Sequence, residues 1–290
     1  MSNRPFVIST DSGCDLTQAY CQENGILCLE LSYTIAGETY RSFDPRMTYK
    51  QFYDLVRQGE MPVTQQVNPQ QLVEAWEPVL QQGNDVLHIG FSSGLSGTYN
   101  SSRMAAEELG EKYPEANIIT VDSLAASLGQ GMLVHFAVQM KKDGSSMQEI
   151  ADWLEANKLN MVHNFTVDDL NHLQRGGRVS KATAIVGTAL GIKPALHVDD
   201  EGHLINISKV RGRKASLKWL VDRMEETVGD WENEEFFISH GDCLEDAQYV
   251  ADAFASSSFL GTQIRPSLRS DSDIRVSFDC WSPCTGIQVG

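Results

Sequence analysis

The chain has 290 residues, of which 41% are hydrophobic and 21% charged, enough to bury one large core or two moderate ones. Its formal net charge of -16, without any Lys/Arg-rich run, excludes a phosphate backbone or an anionic membrane surface as a bulk partner. No apolar run reaches the roughly 18 residues that a membrane span needs.

Met1 to Pro5 lead directly into a strand-like Phe6–Thr10, too short for the apolar region of a signal peptide, so a cytoplasmic location is expected. Further strand-like runs are Ile26–Ile35, Asp85–Phe91, Asn117–Val121, Asn160–Thr166, Ile192–Val198, Leu204–Val210 and Glu235–Ser239. Helical periodicity falls between them, at Thr48–Arg57, Pro69–Gln81, Thr98–Leu109, Leu124–Lys142, Met147–Asn157, Arg213–Val228 and Glu245–Ser256. This alternation predicts an α/β protein with parallel strands. Asp199-Asp200-Glu201-Gly202 joins two strand-like runs with turn chemistry and predicts an antiparallel hairpin. The change of style places a domain boundary near residue 160, with an N-terminal parallel-sheet α/β domain over 1–160 and an α+β domain over 161–290. The six cysteines form no CxxC pair and read as free thiols in a reducing compartment; Cys280 and Cys284 alone do not make a metal site. Trp76, Trp153, Trp219, Trp231 and Trp281 read as core.

In open α/β sheets ligands collect at the carboxyl ends of strands, where backbone N–H groups of loops and helix starts point outward. Four loops are rich in small hydroxyl residues: Thr10–Gly13, Thr64–Pro69, Ser92–Thr98 and Asp122-Ser123. In the third, Ser96 stands in a good N-cap position, and Gly94 and Gly97 permit close backbone approach. Neither GxxxxGK[ST] nor GxGxxG is present, and Gly187–Lys193 has the wrong spacing, so the loops suit a carboxylate better than a nucleotide phosphate. Arg175-Gly176-Gly177-Arg178 before Ser180 forms a second polar constellation, able to pin an anion or to tie its guanidinium groups to carbonyls or to a carboxylate.

The motifs carrying Thr10-Asp11-Ser12, Pro62-Val63-Thr64-Gln65-Gln66-Val67-Asn68-Pro69, Ser92–Ser101, Val121-Asp122-Ser123, Leu173–Lys181 and Lys209–Lys214 resemble, in order and spacing, those of the DegV family of fatty-acid-binding proteins. The resemblance implies two α/β domains with a lipid tunnel between them and no cofactor beyond a bound long-chain fatty acid. It implies that the acyl carboxylate meets Thr64 and the loop of Ser93, Ser96 and Gly97, with Arg178 close to the head group. It also implies a partner, a fatty-acid kinase, that phosphorylates the presented carboxylate. The family's Thr-Ser-Gln here reads Thr64-Gln65-Gln66, and the family's C-terminal histidine loop has no counterpart after His240.

Two other classes compete. Gly90-Phe91-Ser92-Ser93-Gly94 matches the G-x-S-x-G nucleophile elbow of serine hydrolases, with His240 and Asp199, Asp200 or Asp242 as triad partners. Against it, Leu95-Ser96-Gly97 intervenes before the helix. His240-Gly241-Asp242 also suggests a metal site, although a strand-end turn with a capping aspartate is the plainer reading. The third class is a small-molecule sensor that changes its affinity for a protein partner.

Overall fold

A computed structural model describes residues 4–168, 170–180, 191–228, 235–255, 265–268, 273–277 and 285–289. Lys181, Trp231, Trp281, Cys280 and Cys284 lie outside these residues. The chain divides into two compact units, Met1–Thr48 with Pro62–Lys158, and Tyr49–Met61 with Leu159–Gly290. The segment Tyr49–Met61, inside the contiguous range expected for the first domain, thus packs with the second unit.

In the first unit, β1 (Phe6–Asp11), β2 (Leu27–Leu29), β6 (Asp85–Gly90) and β7 (Ile118–Asp122) form a parallel sheet in the order β2-β1-β6-β7. The connection from β1 to β2 runs through a 3-10 turn, Ser12–Cys14, and α1 (Gln18–Glu23), which Thr17 caps. The strands β3 (Ser32–Ile35), β4 (Glu38–Arg41) and β5 (Val63–Gln65) make a separate antiparallel sheet in the order β4-β3-β5. The expected single strand Ile26–Ile35 is therefore two strands in two sheets. It breaks at Glu30-Leu31, where the Leu31 N–H turns to donate to Ser12 Oγ at 2.9 Å.

Helix α3 (Pro69–Gln81) starts where the sequence places it, because Asn68 and Gln71 form a reciprocal capping box and Pro69 needs no N–H partner. With α4 (Thr98–Lys112) it buries Leu72, Trp76, Leu80, Ala105 and Leu109 against Val86 of β6 and Leu29 of β2. Helix α5 (Ser127–Lys142) is buried at nearly every position from Leu128 to Val138 and packs on β1, β6 and the 3-10 turn; α6 (Met147–Asn157) packs on α5 and β7. Such an all-round apolar helix belongs in an interior, and its one buried amide, Gln130, is directed at the sheet edge.

The second unit holds α2 (Tyr49–Arg57) and a mixed sheet of β8 (Val162–Thr166), β9 (Ile192–Val198), β10 (Leu204–Arg211), β11 (Glu235–His240), β12 (Arg265–Leu268), β13 (Asp273–Ser277) and β14 (Thr285–Val289). The order is β10-β9-β8-β14-β11-β13-β12. β9 and β10 form the expected antiparallel hairpin, closed by Asp199 with Gly202 at a φ of 78°. Helices α8 (Arg213–Val228) and α9 (Leu244–Ala255) build its core from Leu217, Leu220, Val221, Met224, Val250 and Phe254, packed on Ile238. A short α7 (Asn171–Arg175) follows β8.

Candidate functional site: a cluster of hydroxyl-bearing loops

The register of the parallel sheet pairs Thr10 with Ile89 and Gly90 with Asp122, so the loops after β1, β6 and β7 emerge side by side at one edge. Two carboxylates organise them. Asp11 is fully buried; its Oδ1 accepts the Gly13 N–H at 3.0 Å, and its Oδ2 accepts the Phe91 N–H at 2.9 Å and the Gln130 amide at 3.3 Å. Desolvation outweighs these three donors and pushes the Asp11 carboxyl up to about 6. Asp122 Oδ1 accepts the N–H groups of Ser93 and Leu124, both at 3.2 Å. Two backbone bonds complete the edge, from Ser92 N–H to the Ala125 carbonyl and from Ser123 N–H to the Gly90 carbonyl.

The turn between β6 and α4 carries Ser92, Ser93, Ser96 and Gly97. The Ser92 carbonyl accepts the N–H groups of Leu95 and Ser96 at 3.1 Å, which curls the backbone into one tight turn. The helix cap is Gly97 rather than the expected Ser96. Ser96 Oγ instead accepts the Thr98 N–H at 3.2 Å and lies 2.9 Å from Thr98 Oγ1, so it orders the turn just before the helix. Ser93 is exposed, with its N–H held by Asp122.

Thr64 does not sit at the parallel-sheet edge, where four loops were expected together. It is an exposed residue of β5, opposite Tyr33 in the antiparallel sheet. Its loop reaches the others through Gln66: the amide Nε2 donates to Ser101 Oγ of α4 at 3.3 Å, and a Cβ on Gly97 would lie 2.4 Å from Gln66 Oε1. The glycine is what lets the side chain rest there. The structure thus gathers the loops of Thr64, Ser93, Ser96 and Gly97 within one unit. Arg178 belongs to the other unit; it is exposed, and its guanidinium donates to the Gly176 carbonyl of its own turn. Arg175 does the same toward the Asn171 carbonyl at 3.3 Å.

Asp11, Gln66, Asp122 and Gln130 had no role in the reading of the sequence. Gln66 stood within the quoted Thr64–Pro69 motif, and Asp11 and Asp122 within theirs, but nothing in a one-dimensional pattern tells a side chain that holds a loop from one that lines a site. Gln130 lay in an apolar helix, and its isolation there was the available signal.

The elbow residue Ser92 is buried, and its Oγ accepts the Gly94 N–H at 3.2 Å. Helix α4 begins only at Thr98. Asp199 Oδ1 is taken by the N–H groups of Glu201 and His203, and Asp242 pairs with Arg57 at 2.6 Å. The His240 turn closes through His240 Nδ1, which accepts the Cys243 N–H at 3.2 Å, so the expected capping aspartate faces Arg57 instead. Among the described residues no group of three or more His, Cys, Asp or Glu is arranged to hold a metal ion, and no helix is long and apolar enough to cross a membrane.

These features define a two-unit α/β protein with a cluster of hydroxyl-bearing loops in its first unit. The profile of the DegV family, described as uncharacterised proteins, matches residues 5–267, and the chain belongs to that family. A DegV domain-containing protein of Clostridium perfringens is 48% identical over 250 residues, 86% of each chain. A solved DegV family protein of Thermus thermophilus, described by its fatty acid binding, superimposes with a TM-score of 0.79 at 26% identity, covering 89% of this chain and 90% of that one. DegV of Bacillus subtilis, described as a fatty acid binding protein, gives 0.75 at 28% identity over 96% and 100%. The expected α/β fold of the DegV type is borne out.

Proposed function

We propose that this chain binds a long-chain fatty acid without transforming it. The observation that carries the reading is the match, over 89% and 96% of this chain, to two solved family members described as fatty-acid binders, at TM-scores of 0.79 and 0.75. The loop cluster supports it chemically. Hydroxyl and backbone N–H donors are what a carboxylate asks for, and the Gln66–Gly97 contact holds two hydroxyl-bearing loops together. In this reading Thr64 and Ser93 or Ser96 hydrogen-bond the carboxylate beside Gly97.

The acyl chain supplies the affinity. Burial of about fifteen methylenes is worth roughly 0.8 kcal/mol each, about 12 kcal/mol gross. Association and ordering cost about 4–15 kcal/mol. Tight binding therefore needs a dry, continuous apolar lining, and the hydroxyls select which end of the ligand faces out. The protein presents the carboxylate to a cytoplasmic fatty-acid kinase; the lack of either phosphate-loop motif in this chain accords with the phosphorylation being done by another protein.

The test is direct. Protein purified from a bacterial host, denatured and extracted, releases a fatty acid in near-stoichiometric amount by mass spectrometry, and delipidated protein rebinds it. Absence of any fatty acid, with no rebinding, overturns the proposal.

A further inference from the structure

The turn from Phe91 to Thr98 is closed on itself. The Ser92 carbonyl takes the N–H groups of Leu95 and Ser96, Ser92 Oγ takes that of Gly94, and Ser96 Oγ takes that of Thr98. A turn so bonded moves as one piece, and its position depends on where it is mounted. Three successive N–H groups mount it, each on a different segment: Phe91 on Asp11 of β1, Ser92 on the Ala125 carbonyl, and Ser93 on Asp122 of β7.

Of the two carboxylates among these mounts, Asp11 is fully buried and Asp122 partly exposed. Asp11 is seated by shape as well as by charge. A Cβ on Gly13 would lie 2.5 Å from Cδ2 of the Phe91 ring and 2.8 Å from Asp11 Oδ1, so ring and carboxylate close on the turn only over a glycine. Both carboxylate oxygens are used as acceptors, toward Gly13, Phe91 and Gln130, and a proton on either would meet an N–H donor. Gln130 can relieve that conflict. Its Nε2 is shared among Thr10 Oγ1, Asp11 Oδ2 and the Ile89 carbonyl, whereas its buried Oε1 has no hydrogen-bond partner among the described residues. A half-turn of the amide offers that oxygen to an Asp11 O–H. The Phe91 N–H then faces a neutral acid in place of a carboxylate, and a charge-assisted hydrogen bond falls to roughly half its strength.

We infer that Asp11 is a positioning residue for the head-group loops, its ionised carboxylate seating the Ser92–Gly97 turn for ligand binding. The inference rests on the fatty-acid reading of that turn, and Asp11 acts on it through the Phe91 N–H. Burial puts the Asp11 carboxyl at about 6, so the charged form is lost within the range in which binding can be measured. The ionisable groups on the neighbouring elements are engaged elsewhere. Asp122 holds the Ser93 and Leu124 N–H groups, and Glu30, just after β2, holds the Phe43 N–H at 2.8 Å. His88 of β6 lies against Ser9 Oγ, His135 of α5 against the Tyr20 hydroxyl at 2.7 Å, and Asp15 follows the 3-10 turn at its left-handed cap. Affinity for the acid should therefore fall as Asp11 takes up its proton.

The experiment titrates a fluorescent fatty acid into delipidated wild type and Asp11→Asn between about pH 8 and about pH 5. The ratio of the two dissociation constants cancels the titration of the ligand itself. It should be about tenfold at the upper end and approach one at the lower, where wild-type Asp11 is as neutral as asparagine. A ratio equal at both ends, or a variant that binds as tightly as wild type throughout, overturns the inference alone. No binding by wild type at any pH overturns the reading of function and this inference with it. Should D11N not fold, the unaltered chain supplies a second measurement. In proton–nitrogen NMR spectra the amides of Gly13 and Phe91 should titrate with a midpoint near 6, and those of Ser93 and Ser96 should follow with the same midpoint. Stationary Gly13 and Phe91 amides, or a turn that stays still while they move, overturn it.

Discussion

Gln66 rests its amide on the bare Cα of Gly97, where a Cβ would lie 2.4 Å from Gln66 Oε1. This is the contact by which an antiparallel sheet edge carrying Thr64 and a helix start carrying Ser96 become parts of one surface. Gly97→Ala forces the Gln66 side chain away. The displaced atom is the end of a flexible side chain, so stability should fall by only about 1 kcal/mol, the worth of the Gln66–Ser101 hydrogen bond. Fatty-acid affinity, by contrast, should drop up to about tenfold as the two loops part. Thermal melts and titration of delipidated protein with a fluorescent fatty acid separate the two effects.

Removing a donor to the carboxylate should act on the head group alone. Thr64→Val keeps the shape of the side chain and deletes the hydroxyl, for a loss of about 1–1.5 kcal/mol, or roughly five- to tenfold in Kd. Ser93→Ala or Ser96→Ala should add to it. The matching control is a fatty alcohol of the same chain length, whose affinity should be equal for wild type and variants. Equal losses for acid and alcohol would remove Thr64 from the head-group contact.

The buried titratable groups of the first unit pull stability in opposite directions as the pH falls. Asp11, raised from 3.8 to about 6, contributes stability that is fully present below 3.8 and lost as pH rises through 6. His88, lowered by burial from 6.5 to about 3, contributes stability present above 6.5 and lost as pH falls through 3. At roughly 1.4 kcal/mol per pH unit of displacement, the two span about 3 and about 5 kcal/mol, so the histidine wins and the unit weakens in acid. His88→Leu loses the contact with Ser9 Oγ at 3.2 Å and should be slightly less stable at pH 7. Its Tm should nevertheless fall less than that of wild type between pH 6.5 and 4. Parallel Tm-against-pH curves would refute a neutral, buried His88.

At Gly131 α5 meets the turn after β1, and an added Cβ there would lie 2.5 Å from the Cys14 carbonyl oxygen. Backbone on both sides cannot yield as a side chain can. Gly131→Ala should therefore cost about 1–3 kcal/mol through overpacking, against the few tenths that alanine gains in an unhindered helix. The urea midpoint measures it.

Much of the fold was legible because each local signal agreed with its tertiary setting. Asn68-Pro69 began a helix, Asp199–Gly202 made a hairpin, and the hydroxyl loops after Thr10, Phe91 and Val121 fell at one sheet edge because parallel strands put all their carboxyl ends there. What failed was what depends on register between distant segments. Ile26–Ile35 read as one strand because hydrophobic periodicity does not record a change of sheet, and Thr64 was assigned to an edge it does not occupy. Ser96 read as a cap because a serine two residues before a helix and one residue before it look alike. Asp11, Gln66 and Gln130 act by holding loops from behind, a role that shows only when the donors of neighbouring strands are in place.

The placement of Tyr49–Met61 in the second unit has a consequence for biosynthesis. Tyr53 of this segment abuts Gly241, where a Cβ would lie 2.9 Å from the phenol oxygen, and Arg57 pairs with Asp242. The ribosome therefore emits α2 nearly two hundred residues before the groups it packs on. Folding cannot proceed as one finished half followed by the other: the nascent first half must carry an amphipathic helix unsatisfied until β11 leaves the exit tunnel. During that interval it is a natural client for a chaperone, and a transcript cut after the first unit would leave the helix permanently without its partners.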